Sequence, residues 1–273
     1  MKPVLGILLG EAAGIGPELI AKVCAKDGLL PYCRPVLIGD ARVLAQGQEI
    51  AGVKFPVTII DDISEANWDG PLPMLDQKNL DPQEYTLGEV SAHSGRITGD
   101  MFVTALTLAQ KGAIAGYCYG PVNKASLKLG GYNFEDPQRM FAHYLKWDKL
   151  FGEMNVLDNL WAFRVTSHIP LKDVCANVTT EKVLGAIKLG YETMTRAGIE
   201  PRIAVSALNP HGGEWGQCGR EEIEVIKPAV EQAQAEGINV EGPYPADTLF
   251  LNAFKGMYNA VVSHVPRPRS NCY

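Results

Sequence analysis

Two histidines follow segments that have the apolar pattern of buried β-strands. His168 comes after residues 164–166, and His211 comes after residues 205–208. In parallel α/β sheets, ligands bind beyond the carboxyl ends of the strands, so two imidazoles placed there by different strands could share a metal ion. A metal site usually has three protein ligands, however. From spacing alone, these histidines are better interpreted as loop residues that make ordinary backbone hydrogen bonds.

Two other side chains could bind an anion or transfer a proton. Lys124, in the segment GPVNKASL, follows a strand pattern and could bind a carboxylate or phosphate or assist proton transfer. A solvated lysine at a helix start is an equally good interpretation. Asp247, in PADTLF, precedes an apolar helical pattern, and taken alone it is best explained as a helix cap.

A glycine-rich loop, GEAAGIGPE, separates an apolar strand from a helix that begins near Pro17. Its glycines, which include Gly14 and Gly16, permit close backbone approach, and a helix N-terminus favours an anion. The loop is neither GxGxxG nor a P-loop, since no Lys-Ser/Thr pair follows it. The sequence supports a tight packing turn and a phosphate-binding turn equally well.

Apolar runs alternate with helical patterns along the chain, which is typical of βα units around a mostly parallel sheet. We predict a first α/β lobe over residues 1–126 and a second over 127–263, followed by a tail at 264–273. The predicted strands cover residues 3–10, 34–40, 57–60, 112–120, 161–171, 201–208 and 258–263, the predicted helices cover 17–25, 99–111, 139–146, 179–198 and 220–237, and residues 61–90 are predicted to be rich in loops.

The composition limits the class of protein. The 273 residues are 46% hydrophobic and 21% charged, and the net charge of −6 argues against a nucleic-acid-binding surface. No stretch approaches the roughly 20 apolar residues of a membrane span. The six cysteines form no CxxC pair, so we expect free thiols in a reducing cytoplasm.

Six segments together resemble the 4-hydroxythreonine-4-phosphate dehydrogenase family: GEAAGIGPEL, GPVNKA, TSHIPLKDV, PRIAVSALNPHGGE, GREE and GPYPADTLF. They occur in the family's order, and ALNPHGGE followed by GPYPADTLF is the most specific pair. The resemblance implies a two-lobed α/β/α fold like that of isocitrate and isopropylmalate dehydrogenases. It also implies a homodimer whose clefts are shared between the subunits.

The chemistry implied by this resemblance is NAD-dependent oxidation of a secondary alcohol, after which the 3-keto acid loses carbon dioxide. In the family a divalent metal (Zn, Mg, Mn or Co), held by three histidines, acts as a Lewis acid on the oxygen. His168 and His211 match two of these ligands. Asn209 and Asp247 match polar residues near the substrate, and Lys124 matches a lysine of the cleft. Gly14 and Gly16 are then candidates for substrate contacts.

One segment departs from the family pattern. A His-Thr pair that grips the substrate aligns with Pro137 and Gln138 in the segment DPQR. Proline offers no hydrogen-bond donor, which leaves Gln138 as the candidate for a substrate contact there. The departure favours a catabolic relative that acts on a 4-phosphorylated acid such as threonate or erythronate, rather than on 4-hydroxythreonine 4-phosphate.

The C-terminal segment also departs from the family. The family continues after the last strand with Met-Tyr-His-Asp-Gln-Gly, whose histidine is the third metal ligand, whereas this chain reads HVPRPRSNCY. Codons for that peptide exist which, read one base later, spell the family motif. We therefore expect a frameshift after Ser263, an unstructured tail that carries His264, no third ligand, and negligible dehydrogenase activity.

Two other functions are compatible with the sequence. A phosphate acyltransferase of related architecture would keep the fold but would not need the histidine pair, so metal dependence would separate it from a dehydrogenase. A truncated, non-catalytic fragment is the other alternative. Assays with NAD and a divalent metal would discriminate among the three.

Overall fold

The computed structural model describes residues 2–26, 28–167 and 169–265. The chain divides into two compact units, Met1–Asp148 and Lys149–Tyr273. Each unit is built around a five-stranded sheet with helices packed against it. This mixed α/β architecture with parallel sheets agrees with the fold class predicted from the alternating pattern.

The sheet of the first unit is parallel throughout, with strand order β3-β4-β2-β1-β5. Its central strands are apolar and buried, as expected for a sheet covered on both faces. The strands are β1 (Val4–Leu8), β2 (Arg34–Gly39), β3 (Val57–Ile60), β4 (Leu72–Asp76) and β5 (Gly116–Tyr119), and the helices are α1 (Gly16–Cys24), α2 (Ala41–Ala51), α3 (Ala92–Gln110), α4 (Lys124–Leu129) and α5 (Pro137–Leu145).

Side-chain caps explain where four of these helices begin. Asp40 accepts a hydrogen bond from the Arg42 N–H at the start of α2, and Ser91 accepts one from Ser94 at the start of α3. Asn123 and Asp136 cap α4 and α5 in the same way. Each cap satisfies a backbone N–H that has no partner within its helix.

The second unit has the strand order β6-β7-β10-β8-β9. The strands β7, β10, β8 and β9 run parallel to one another, and β6 is antiparallel to β7 at one edge. The elements are β6 (Met154–Leu157), β7 (Leu160–Arg164), α6 (Val174–Asn177), α7 (Thr180–Arg196), β8 (Ile203–Ser206), a π-helical segment (Glu222–Ile226), α8 (Lys227–Ala235), β9 (Val240–Tyr244), α9 (Ala246–Phe254) and β10 (Ala260–Ser263).

Local patterns located many of these elements, but not all of them. The strand at 57–60 coincides with β3, and Thr179 caps α7 as its side-chain chemistry predicts. The strand β4 lies within residues 61–90, a polar stretch that the sequence pattern predicts to be rich in loops. It is a strand because β2 and β3 pair with it on either side.

The boundary between the units lies after Asp148, not after residue 126 as predicted. The helices α4 and α5 belong to the first unit, where Leu127 and Met140 are buried in its hydrophobic core. None of the described helices combines the length and the apolar character needed to cross a bilayer.

Candidate active site

Parallel strands of the second unit bring several predicted site residues to one edge of its sheet. The strands β7, β10, β8 and β9 are neighbours and run in one direction, so their carboxyl ends lie side by side. His264 follows β10, the loop with Asn209 and His211 follows β8, and α9 with Asp247 follows β9. His168, which follows β7, lies outside the described residues.

His264 is buried directly beyond β10, with a side chain that is 1% exposed. Its Nε2 lies 2.6 Å from the carbonyl oxygen of Ser206, and its own carbonyl oxygen accepts a hydrogen bond from the Thr166 hydroxyl. Among the described residues, its Nδ1 has no hydrogen-bond partner. Burial lowers the pKa of the imidazole, although the hydrogen bond to Ser206 and the charge of Glu222 act in the opposite direction.

This position corrects the prediction that His264 belongs to an unstructured tail. Backbone pairing of β10 with β7 extends to Ser263, whose carbonyl oxygen accepts a hydrogen bond from Val165 N. Because of this pairing, His264 lies between the ends of β7 and β8, where it contacts Thr166 and Ser206. The remaining predicted tail, residues 266–273, lies outside the described residues.

His211 is exposed and belongs to a strained loop. Its φ is 51°, and Gly212, Gly213, Glu214 and Trp215 also have positive φ values, between 43° and 79°. Three of these five residues carry side chains, which rarely adopt the left-handed region. The loop therefore depends on contacts from the surrounding structure to hold its shape.

The described residues do not complete a metal site. Among residues 2–26, 28–167 and 169–265, no three His, Cys, Asp or Glu side chains lie close enough together to hold a metal ion. His211 is accessible, and the partnerless Nδ1 of His264 is buried. The proposed ligand pair of His168 and His211 therefore stays a prediction, and no reaction step is derived through a metal here.

Asn209 is held by two carboxylates. Its side-chain Nδ2 donates to Glu221 Oε2 at 2.6 Å and to Glu222 Oε2 at 2.9 Å. Glu222 Oε1 also accepts from the backbone nitrogens of Leu208 at 2.8 Å and of Asn209 at 2.7 Å. Burial alone would raise the pKa of Glu222, but these hydrogen bonds outweigh it and lower the pKa. Glu222 is the last residue of the segment GREE, which carries the family resemblance but by its pattern alone indicates no function for this side chain.

Asp247 lies in the first turn of α9, and its side chain is exposed. Its Oδ1 accepts a hydrogen bond from Thr248 N at 2.8 Å. The capping position is occupied by Pro245, so Asp247 is not the helix cap that its position in the sequence suggested. A Cβ atom at Gly212 would lie 4.0 Å from the Pro245 ring, which places the start of α9 beside the His211 loop.

In the first unit, a cavity of about 480 Å³ lies at the carboxyl ends of the adjacent strands β1 and β5. Gly14, Asn123 and Lys124 line it, together with Glu11 and Glu89. Glu11 is 4% exposed, and its carboxylate accepts hydrogen bonds from the Ser94 and Thr98 hydroxyls. Lys124 is exposed at the first position of α4. The cavity thus combines buried negative charge with one accessible ammonium group.

Gly14, in the loop between β1 and α1, and Gly16, the first residue of α1, have different functions. A Cβ atom at Gly16 would lie 2.4 Å from the backbone oxygen of Leu9, so this glycine is required for packing. A Cβ atom at Gly14 would make only ordinary contacts, and Gly14 is exposed at the cavity. Packing therefore explains why residue 16 is glycine, whereas Gly14 remains a candidate for contact with a ligand.

The altered segment DPQR lies near Lys124 in the first unit. Pro137 and Lys124 line the same small recess, together with Asp136, which caps α5. Gln138 is half-buried and does not line this recess. The structure thus brings together Gly14, Lys124 and Pro137 in the first unit, and Asn209, His211 and Asp247 in the second.

A family model described as "Pyridoxal phosphate biosynthetic protein PdxA" matches residues 31–264. The chain belongs to the PdxA family. This finding confirms the resemblance based on the six sequence segments.

Individual PdxA relatives are similar over nearly the whole chain. A protein of Rhizobium meliloti (strain 1021), provisionally named 4-hydroxythreonine-4-phosphate dehydrogenase 2, is 39% identical, and the match covers 96% of this chain and 76% of the relative. A Symbiobacterium thermophilum protein, provisionally named D-threonate 4-phosphate dehydrogenase, is 36% identical, and the match covers 96% of this chain and 78% of that protein. The crystal structure of a 4-hydroxythreonine-4-phosphate dehydrogenase from Burkholderia phymatum is 37% identical with a TM-score of 0.85, covering 97% of this chain and 81% of that one.

Proposed function

We propose that this protein is a NAD-dependent dehydrogenase that oxidises the secondary hydroxyl group of a 4-phosphorylated 3-hydroxy acid. The observation that carries the proposal is its PdxA-family relationship, with relatives named as dehydrogenases that match 96% of the chain. The polar residues at the carboxyl edges of both sheets are where an α/β fold of this kind binds its ligands.

The proposed reaction balances as a hydride transfer and a proton transfer. The carbon that bears the hydroxyl group gives a hydride to NAD⁺, and the hydroxyl proton passes to a base. The product is a 3-keto acid, whose carbon–carboxylate bond then breaks to release carbon dioxide. A proton then adds to the carbon that lost the carboxylate, which gives the ketone product.

Five of the predicted site residues have a proposed function in this reaction. The ammonium group of Lys124 binds the phosphate or carboxylate of the substrate, or takes part in proton transfer. Asp247 is exposed at the start of α9 and is the second proposed proton-transfer group. Asn209 and Gly14 are proposed to contact the substrate, and Gln138 is a weaker candidate because it does not line the recess beside Lys124.

The substrate proposed first is 4-phosphothreonate or 4-phosphoerythronate. Pro137 stands in the recess beside Lys124, and its side chain provides neither a hydrogen-bond donor for a phosphate nor an acceptor for an ammonium group there. The relative named for D-threonate 4-phosphate supports this choice. The related substrate 4-hydroxythreonine 4-phosphate differs by an amino group in place of a hydroxyl group, and it is the comparison substrate.

We further propose that the protein works as a homodimer through the outer edge of the second sheet. The edge strand β6 exposes Met154, Val156 and Leu157, each by 42% or more. Exposed apolar edge strands are normally covered, because their free backbone groups pair with other chains. Pairing of two copies would cover this edge.

The test of the proposed activity is NADH formation by the purified protein with NAD⁺, a divalent cation and each four-carbon acid, phosphorylated and unphosphorylated. We expect turnover with a phosphorylated acid. We also expect Lys124→Ala to raise KM by about tenfold or more through loss of one charged hydrogen bond. Lys128→Ala, which removes an exposed lysine from the same helix, is the matched control.

A folded protein that forms no NADH with any of these acids would overturn the proposal and would agree with the sequence-based expectation of an inactive chain. Equal turnover of phosphorylated and unphosphorylated acids would contradict the proposed substrate class. Activity that chelation of divalent cations leaves unchanged would contradict the predicted metal dependence.

A further inference from the structure

The loop after β8 has an unfavourable backbone that something must stabilise. Six consecutive residues, from His211 to Gly216, have positive φ values. Trp215 is 95% exposed, so burial of its own side chain does not hold this conformation. Left-handed residues with side chains persist when neighbouring contacts determine their conformation.

Glu222 provides such contacts from the beginning of the π-helical segment. The side chain is 4% exposed, and its two oxygens accept three hydrogen bonds from residues 208 and 209 at 2.7 to 2.9 Å. It also packs against the middle of the left-handed run, since a Cβ atom at Gly213 would lie 2.8 Å from Glu222 Oε2. One carboxylate therefore contacts both the beginning and the centre of the loop.

The charge of Glu222 matters as well as its shape. The Asn209 amide nitrogen lies between two carboxylate oxygens, those of Glu221 and Glu222. With glutamine at position 222 in the same orientation, the new amide group would face this Asn209 donor. Rotation of the Asn209 amide would not help, because its carbonyl oxygen would then face Glu221.

We propose that Glu222 is the positioning residue that orders the loop carrying Asn209 and His211, and thereby sets the affinity of the site for its acid substrate. This inference rests on the proposed function. Because hydrogen bonds from the protein occupy both carboxylate oxygens, Glu222 acts through the loop and not by contact with the substrate. If the loop is disordered in the free protein, part of the substrate's binding energy must be used to order it, so KM rises. Once substrate is bound the loop is ordered, so kcat changes little.

The test compares Glu222→Gln with Glu231→Gln, which removes an exposed carboxylate from the following helix α8. Hydrogen exchange of peptides that contain residues 208–217 reports on the loop without any need for activity. We expect the Leu208 and Asn209 amides to exchange about tenfold faster in Glu222→Gln, the factor for loss of one charged hydrogen bond. The control should exchange like the unaltered protein.

Steady-state kinetics supply the second measurement. We expect Glu222→Gln to raise KM for the acid by about tenfold while kcat changes by less than about twofold. Gly213→Ala disrupts the same contact from the loop side and should raise KM in the same way. It replaces Glu222→Gln as the test if that variant does not fold. Unchanged exchange and unchanged KM in the folded variants would overturn the inference.

The two proposals fail in different ways. Faster exchange in Glu222→Gln, with no turnover by the unaltered protein, would contradict the proposed dehydrogenase and support the ordering of the loop. Normal turnover together with unchanged loop exchange would contradict the function given to Glu222 and support the dehydrogenase.

Discussion

Buried carboxylates in this protein are held by several donors each, and Asp40 is an example from the first unit. Its side chain is 2% exposed and accepts hydrogen bonds from the backbone of Leu80 and from the backbone and guanidinium of Arg42. Burial alone would raise the pKa of Asp40, but these hydrogen bonds and the positive charge of Arg42 lower it overall. The carboxylate thus fixes the start of α2 and the segment that follows β4.

Replacement of Asp40 by asparagine should lower the free energy of unfolding at neutral pH by about 3 kcal/mol, because a buried network loses its charged acceptor. The pKa of Asp40 is lower in the folded than in the unfolded protein, so its stabilisation is present above the unfolded pKa of about 3.9 and is lost as the pH falls through the folded value. Urea unfolding, carried out at neutral pH and at lower pH values, measures both the loss of unfolding free energy and its dependence on pH.

The difference between the unaltered protein and Asp40→Asn should therefore shrink as the pH falls below about 4. Asp69→Asn is the control, because Asp69 is exposed in a loop. A difference that stays constant with pH would mean that the carboxylate charge contributes nothing and that only the shape of the side chain matters.

At the scale of elements, the helices α3 and α4 pack with their backbones in direct contact. A Cβ atom at Gly95 of α3 would lie 1.8 Å from the backbone oxygen of Ser126 in α4. A Cβ atom at Gly130, just after α4, would lie 2.2 Å from the Arg96 nitrogen. Since Lys124 is the first residue of α4, this contact positions the start of the helix that carries Lys124 beside the cavity.

We expect Gly95→Ala to destabilise the protein by about 3 kcal/mol, because the clash is with backbone and no side-chain rotation can relieve it. Thermal unfolding, followed by circular dichroism, measures the loss. Gly70→Ala is the control, since no atom lies within 4 Å of its Cβ position. Equal unfolding temperatures for the two variants would contradict the close packing of α3 on α4.

At the scale of the whole molecule, the exposed edge strand β6 is the proposed site of association between two copies of the protein. Val156→Lys places a charge in the middle of this apolar edge, and edge lysines oppose pairing with other chains. We expect a shift from dimer to monomer in light scattering coupled to gel filtration, with the fold retained. Ile50→Lys, at an exposed position of α2, should leave the dimer intact. A Val156→Lys protein that remains dimeric would place the subunit interface elsewhere.

The sequence by itself determined the α/β class, many of the strands and helices, and the family. These properties depend on short-range patterns: apolar runs such as that of β3, a side-chain cap such as Thr179, and segments such as ALNPHGGE. Each is visible because the interacting groups lie within a few residues of one another. The same reasoning located His211 at a strand end, whereas the family resemblance supplied Asn209 and Asp247 as site residues.

Only the tertiary structure decided the strand β4, the unit to which α4 and α5 belong, the burial of His264 and the contacts of Glu222. These features arise from contacts between segments far apart in the chain, as when the imidazole of His264 meets the carbonyl of Ser206. Pairing between distant segments depends on the whole set of packed elements. Residue type and local spacing therefore carry no signal for it.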